Sequence, residues 1–428
     1  MARLTRRGFV KTAAAGGVVA PYVVHASVVG AGGQAAPSDR IGMGFIGLGG
    51  QGSGHLFGGA WTYLTGGYLA RDDVQVLGVS DVWQNKREAA CTRVNDYYAA
   101  KTGRGSHQAC QAYGDFRHLL ARPDVDAVLI ATPNHWHAPM TILAFEAGKD
   151  VYCEKPTAVT VGESLEAVRA ARRYGRIFQA GSQQRSEYDG KFRTACEYVR
   201  SGRIGRLLAV YAVRGFISFH WAGQFGPSKP VPPGFDWDLW LGPAPWVPYG
   251  RGGGTFMYGG NWEQHHYDVA QWGMGADRTG PVEVSPGELK YAGSVTVYPA
   301  QHPGERIGES GGCTFVGSDG RIAVDRERLA SYPPEVLKAP LGPGDVRLYR
   351  STSHSGNFLE CVRTRRRPIS DVETAHRAVS TYLLGGIAQR LGRTLKWDSE
   401  KGTFSGDDEA NRLLSYARRP LPPLRQEA

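Results

Sequence analysis

The chain has 428 residues, 41% hydrophobic and 21% charged, proportions that exclude a disordered, collagenous or multi-span membrane protein and suffice for one large or two smaller domains. Its formal charge of +10 falls to +6 without the four cations Arg3, Arg6, Arg7 and Lys11, a mild excess for this size. Arg363 to Arg367 comes nearest to a basic run, but it lacks interleaved aromatics, so no nucleic-acid partner is expected.

Residues 5–11 read T-R-R-G-F-V-K and lead into a modestly apolar stretch that ends at Val24 and is interrupted by Pro21. A charged start, a short apolar segment and small residues near Ala26 make a secretory signal, too short to span a bilayer. The Arg6-Arg7 pair with Phe9 and Lys11 resembles a twin-arginine signal, which exports folded proteins. A chance Arg pair on a basic tail is the alternative. Residues 1–38 are therefore expected to be signal and linker, with the mature protein periplasmic or otherwise exported.

Arg40 to Ile46 has the apolar character of a buried strand and runs into Gly47-Leu48-Gly49-Gly50-Gln51-Gly52, a G-x-G-x-x-G fingerprint. Gly47 would make the tight turn, Gly49 would admit a pyrophosphate, and Gly52 would let the next helix pack on the strand. A second strand, Val74 to Val79, ends at Ser80-Asp81, where a carboxylate suits ribose hydroxyls and repels a 2′-phosphate, favouring NAD over NADP. Asp81 could instead cap the helix starting near Gln84.

Strand and helix continue to alternate. The pattern predicts a strand from Val125 to Ala131, a helix from Ala138 to Ala147 and a strand from Asp150 to Cys153, then a helix from Gly162 to Tyr174 and a strand from Ile177 to Ala180. This spacing predicts a parallel sheet with helices on both faces. The polar clusters at 132–137, 154–156 and 181–185 all follow strands and should converge on one crevice. Beyond residue 205, short turn-bounded segments such as Leu207 to Val213 and Gly320 to Val324 read as strands. Val372 to Arg390 reads as a helix returning to the first domain. Six cysteines, at 91, 110, 153, 196, 313 and 361, contain no C-x-x-C pair, so neither a zinc site nor a disulfide framework is expected.

With A-T-P-N-H-W-H at 131–137, C-E-K-P at 153–156, G-S-Q-Q-R at 181–185, F-D-W-D-L-W-L-G-P-A-P at 235–245 and H-H-Y-D-V-A-Q-W at 265–272, the chain resembles the glucose–fructose oxidoreductase/inositol dehydrogenase/MocA family. The likeness is to the family's exported branch. It implies an α/β Rossmann domain, a doubly wound parallel sheet, over residues 39–184. An α+β domain with a large, mostly antiparallel sheet would follow over 185–370, then a returning helix and tail over 371–428. It also implies a homodimer or homotetramer and hydride transfer between NAD and a sugar, glycoside or cyclic polyol. Cofactor contacts would come from Gly47, Leu48, Gly49, Gly50, Gln51, Gly52, Asp81, Thr132, Pro133, Asn134, His137, Glu154, Lys155 and Gln183.

Lys155 matches the family's catalytic lysine, and His265 its catalytic histidine within D-x-G-x-H-x-x-D. Here that stretch reads N-W-E-Q-H-H-Y-D at 261–268. Asn261 replaces the aspartate and Glu263 the glycine, which puts substrate and activity in question. Helical spacing would make Asn261 and His265 neighbours. Alternatively, Asn261 and Gln264 would form a capping box. Arg185, His266, Asp268 and Trp240 are candidates to line the substrate pocket, with His220 and Trp221 weaker ones. No metal is expected, although His265, His266 and Asp268 could be read as ligands. Two other readings stay open: redox-assisted glycoside hydrolysis or elimination with a retained, cycling NAD, and a non-catalytic sugar-binding or assembly protein, which Asn261 would favour.

Overall fold

Strand β1 (Ile41–Ile46) is buried along its whole length, as its lack of a polar face requires of a strand with helices on both sides. Around it β2 (Val74–Ser80), β3 (Gln111–Tyr113), β4 (Ala127–Ile130), β5 (Asp150–Cys153) and β6 (Phe178–Ala180) form a parallel sheet of order 3-2-1-4-5-6. The order reverses between β1 and β4, and that switch point opens a crevice beyond the strands' carboxyl ends. Alternate residues supply opposite faces: Ile41, Met43 and Phe45 enter one core, whereas Ile46, Val128 and Ile130 enter the other.

The first five helices are α1 (Gly50–Phe57), α2 (Gln84–Thr102), α3 (Phe116–Leu120), α4 (Asn134–Glu146) and α5 (Val161–Tyr174). Helix α4 starts four residues before the sequence pattern predicts, so the polar cluster 134–137 forms its first turn. His135, Trp136 and His137 are buried there, not looped out.

The structure, a computed structural model, describes residues 39–59, 62–103, 105–213, 215–217, 227–250 and 260–424. The expected signal with Arg6 and Arg7, and the pocket candidates His220 and Trp221, lie outside the described residues. Among the described residues, no helix is long and apolar enough to cross a membrane.

Among the described residues the second sheet has nine strands: β7 (Leu207–Ala212), β8 (Glu283–Ser285), β9 (Glu288–Tyr291), β10 (Val295–Tyr298), β11 (Gly312–Gly317), β12 (Arg321–Asp325), β13 (Leu329–Tyr332), β14 (Leu395–Asp398) and β15 (Thr403–Phe404). Their order is 13-12-11-7-10-9-8-14-15, antiparallel throughout except where β7 meets β10. Its helices are α6 (Lys191–Arg200), α7 (Trp237–Leu241), α8 (Glu263–Met274), α9 (Glu335–Lys338), α10 (His354–Thr364), α11 (Val372–Leu391) and α12 (Asp408–Arg412). Asp371 caps α11 by accepting from the Thr374 amide at 2.8 Å, and Gly392, at φ +65°, ends it.

Helix α11 packs on both α5 and α8 and so ties the two sheets together. Residues Ile41–Ala428 accordingly cluster as one unit. The packing does not follow a boundary at residue 370. Phe358, Leu359 and Cys361 of α10 lie in the core beneath β1, while β14 and β15 extend the second sheet.

Candidate active site

The loop from β1 to α1 is shaped by its glycines. Gly47 has φ +87°, a conformation that side chains resist. A Cβ on Gly52 would lie 1.8 Å from the Gly47 carbonyl oxygen, whereas Cβ atoms on Gly49 and Gly50 would meet nothing within 4 Å. The loop is therefore closed underneath and open above, which is the shape a pyrophosphate needs. Asp81 stitches this loop to β2: its carboxylate accepts from the Leu48 amide at 2.7 Å and the Trp83 amide at 2.8 Å. The second bond goes to Trp83, which itself stands at the cap position of α2, so Asp81 does not cap that helix, and its carboxylate remains at the groove where the ribose reading puts it.

A groove of about 310 Å³ runs along this loop, walled by Gly49, Asp81, Trp83, Thr132, Pro133 and Trp240. Thr132 Oγ1 is buried without a hydrogen-bond partner and borders both this groove and a smaller cavity of about 210 Å³. These features fit a dinucleotide laid from Asp81 toward Thr132. The smaller cavity is lined by Gln51, Asn134, His137, Glu154, Lys155 and Asn261, among others. Of the residues expected to bind cofactor, Leu48, Gly52 and Gln183 support these walls from behind; the others line one cavity or both.

Lys155 is the second residue beyond β5, and its Nζ donates to Asn261 Oδ1. Burial lowers its pKa and nearby Arg326 adds to the effect, while Glu154 and Glu263 oppose it. His137 is fixed by a 2.7 Å bond from Nδ1 to the Pro156 carbonyl, and burial lowers its pKa too.

Beneath Lys155 lies a buried polar network. Glu154 Oε1 meets His55 Nε2 at 2.7 Å and accepts from Gln183 Nε2 at 2.9 Å and Gln51 Nε2 at 3.2 Å. Burial opposes its ionisation, but the His55 contact, the Lys155 charge and Gln51 outweigh that and hold the carboxyl at about 2. A Cβ on Gly181 would lie 2.7 Å from this carboxylate, which explains the glycine after β6. His55 was not expected from sequence. The available signal was its place four residues after Gln51, on the same face of α1.

The second domain's contribution departs from the helix-face expectation. Helix α8 begins at Glu263 with Trp262 at the cap position, so Asn261 lies before the helix and points to Lys155, not to His265. No capping box forms: Gln264 Oε1 instead accepts from the Thr157 amide at 2.8 Å. His265 is buried with Nδ1 unpartnered. Burial, then the charges of Lys155 and Arg326, keep it well below the ordinary histidine value, and so neutral.

Three expected pocket residues are committed elsewhere. Arg185 grips Asp268 through bonds of 2.7 and 2.9 Å, reaches Asp277 at 2.8 Å and lies over the Trp272 ring. Freeing such a buried guanidinium would cost about 3–5 kcal/mol, so Arg185 and Asp268 brace α8 instead of lining the pocket. His266 is buried, with Nε2 2.9 Å from the Ser310 carbonyl and its ring parallel to Trp262. This division also separates His265, His266 and Asp268 as metal ligands. Among the described residues no three His, Cys, Asp or Glu side chains converge on a metal site. Trp240 stacks on Trp237 at 4.5 Å and lines the dinucleotide groove, not the Lys155 cavity.

Arg326 is the other residue that sequence reading missed. It leaves the turn between β12 and β13 and lies over Trp262 and Tyr188, 4.6 and 4.9 Å from the ring centres. No local pattern marks it.

The strand order, the glycine cradle and the acidic end of β2 define a dinucleotide-binding Rossmann oxidoreductase with a second α/β domain. Residues 41–182 match the oxidoreductase family's NAD-binding Rossmann fold, and residues 192–292 and 346–421 match its C-terminal alpha/beta domain. The chain belongs to the glucose–fructose oxidoreductase/inositol dehydrogenase/MocA family of NAD(P)-binding oxidoreductases. It is similar to an inositol 2-dehydrogenase of Rhodococcus jostii strain RHA1, 30% identical over 37% of this chain and 40% of the relative. A "Glycosyl hydrolase family 109 protein" of Shewanella pealeana is 32% identical over 40% of this chain and 38% of the relative. These matches span about two fifths of each curated relative's length. In fold, the aldose-aldose oxidoreductase of Caulobacter crescentus aligns with a TM-score of 0.54 at 20% identity, over 84% of this chain and 100% of that one.

Proposed function

We propose that this protein moves a hydride between NAD(H) and the carbon of a secondary hydroxyl on a sugar, glycoside or cyclic polyol, with Lys155 at the hydroxyl oxygen. The observation that carries this reading is a lysine of lowered pKa in a cavity that shares the Thr132 and Asn134 wall with the dinucleotide groove. A bound nicotinamide would supply the hydride acceptor. Lys155 then takes the hydroxyl proton when neutral, or steadies the developing alkoxide when charged. Asn261 holds Nζ without adding charge, and the neutral His265 stands behind as a second, weaker base. Glu154, ionised and held by four donors including the Lys155 amide, fixes the strand end that carries Lys155.

Asp81 supports NAD over NADP, because its carboxylate borders the groove where a 2′-phosphate would sit. Inositol 2-dehydrogenase among the relatives supports a polyol or sugar substrate. Arg6 and Arg7 support twin-arginine export of the folded chain, and export favours a tightly bound cofactor, since free nicotinamide nucleotides are scarce outside the cytoplasm. A homodimer or homotetramer completes the proposal. The test is to identify by mass and absorbance the nucleotide that copurifies, then to follow its redox state across a panel of polyols and glycosides. Absence of any bound or bindable nicotinamide nucleotide overturns the reading.

A second reading is favoured by the relative described as a glycosyl hydrolase. Transient oxidation at a ring carbon would acidify the neighbouring C–H and expel the glycosidic group; water would add and the hydride return. Sugar release without net change in the NAD:NADH ratio distinguishes it.

A further inference from the structure

Two of the six cysteines meet at the open edge of the six-stranded sheet. Cys91 is half-buried on α2, and Cys110 is buried immediately before the edge strand β3. Cys91 Sγ lies 3.2 Å from the Cys110 carbonyl oxygen, and each of the two side chains shifts the titration of the other. Asn95, one helical turn beyond Cys91, holds the approach. Its Nδ2 donates to the Cys110 carbonyl at 3.0 Å and to Cys91 Sγ at 3.6 Å, while its Oδ1 accepts from the Cys110 amide at 3.2 Å.

We propose that Cys91 and Cys110 form a redox-active dithiol that closes to an intramolecular disulfide in the presence of a low-molecular-weight disulfide such as oxidised glutathione. The hydrogen bond from Cys110 holds the Cys91 thiol down at about 7 against the effect of burial. A half-exposed Cys91 thiolate is therefore the attacking group. It displaces one glutathione thiolate from oxidised glutathione and leaves a mixed disulfide on Cys91. The Cys110 thiol is held up chiefly by its hydrogen bond to the Cys91 sulfur, and the mixed disulfide removes that negative partner. Cys110 then loses its proton to water and attacks Cys91 Sγ, releasing the second glutathione. Both cysteine sulfurs are oxidised, and one oxidised glutathione becomes two reduced ones. The cross-link would join two elements that run to the dinucleotide groove, since Trp83 precedes α2, Gly114 follows β3, and both line that groove.

The test treats the intact purified protein with excess oxidised glutathione, quenches with acid, alkylates under denaturing conditions and maps the peptides. The expected result is a peptide pair linking Cys91 to Cys110 and an intact mass lower by about 2 Da. Cys153, Cys196, Cys313 and Cys361 should all be alkylated, and dithiothreitol should reverse the link. Cys91→Ser should leave Cys110 fully alkylated. Wild-type protein in which both residues are alkylated, or which stops at a glutathione adduct on Cys91, overturns the proposal.

Discussion

The two walls of the site are built by different means. The first-domain wall is mostly backbone: Gly47 and Gly52, which have no room for a side chain, strand ends, and carboxylates that pin loops. The second domain contributes side chains from distant segments, of which Asn261 lines the cavity while Arg326 and His265 couple to Lys155 through charge. Asn261 stands just before a helix, His265 lies inside that helix, and Arg326 comes from a turn between two strands. The first wall tolerates little change because its geometry is steric. The second can be retuned one residue at a time, because its effect on Lys155 is electrostatic.

The comparison breaks most sharply at the residue both walls serve. Lys155→Ala should reduce turnover by about 10²–10⁴-fold, the range for losing acid–base participation, and leave nucleotide affinity nearly intact. Steady-state turnover and a fluorescence titration with NADH, run side by side, check this; near-normal turnover removes Lys155 from the chemistry. On the first wall, Gly52→Ala places a methyl 1.8 Å from the Gly47 carbonyl. Backbone must move, at a cost of about 3 kcal/mol, so NAD affinity should weaken on the order of 10²-fold. Calorimetric titration of folded variant protein decides, and an unchanged Kd sinks the cradle assignment.

The same division governs how much could be read from sequence. Alternating apolar segments and glycine spacing carry local steric rules, so the parallel sheet, the cradle, and the side-by-side setting of Glu154 and Lys155 were legible. The register of α8 was not. Helical spacing put Asn261 and His265 on one face, but that inference holds only if the helix includes residue 261. It starts at Glu263, and α8 is then buried on nearly all sides between the second sheet and α11. Burial all round leaves no polar face to read, which is why His266 and Asp268 resembled pocket residues while serving as packing and ion-pair partners, with Arg185, outside α8, held as the partner of Asp268. Arg326 was illegible for a simpler reason: its contacts are wholly tertiary.

His55→Ala tests whether the buried network holds the first wall rigid. Glu154 is shifted down from an ordinary value of 4.5 to about 2. Its ionised form therefore adds stability in full above pH 4.5, and that stability is lost as pH falls toward 2. Removing the closest donor should cost about 1.5–3 kcal/mol near neutral pH, as for a hydrogen bond to a charged group. The midpoint of acid unfolding should also move to higher pH, since burial then acts on Glu154 with less opposition. Urea unfolding across that pH range measures both; an unmoved acid midpoint means the pair does not hold Glu154 ionised.

The smallest expected effect is the most specific to the second wall. Asn261 gives Lys155 Nζ an acceptor without charge, so burial and Arg326 are free to lower the lysine's pKa. Asn261→Asp would place a carboxylate at that contact, favour the ammonium and raise the Lys155 pKa. If neutral Lys155 takes the hydroxyl proton, the acidic limb of the kcat/KM profile for alcohol oxidation should move to higher pH, with a smaller change on the plateau. The new carboxylate would also raise the pKa of nearby His265, so the shift needs assigning. In a Lys155→Ala background the limb should no longer respond to Asn261→Asp. A limb that responds there as in the parent belongs to His265, and one that moves in neither background shows that residue 261 does not tune the base at all.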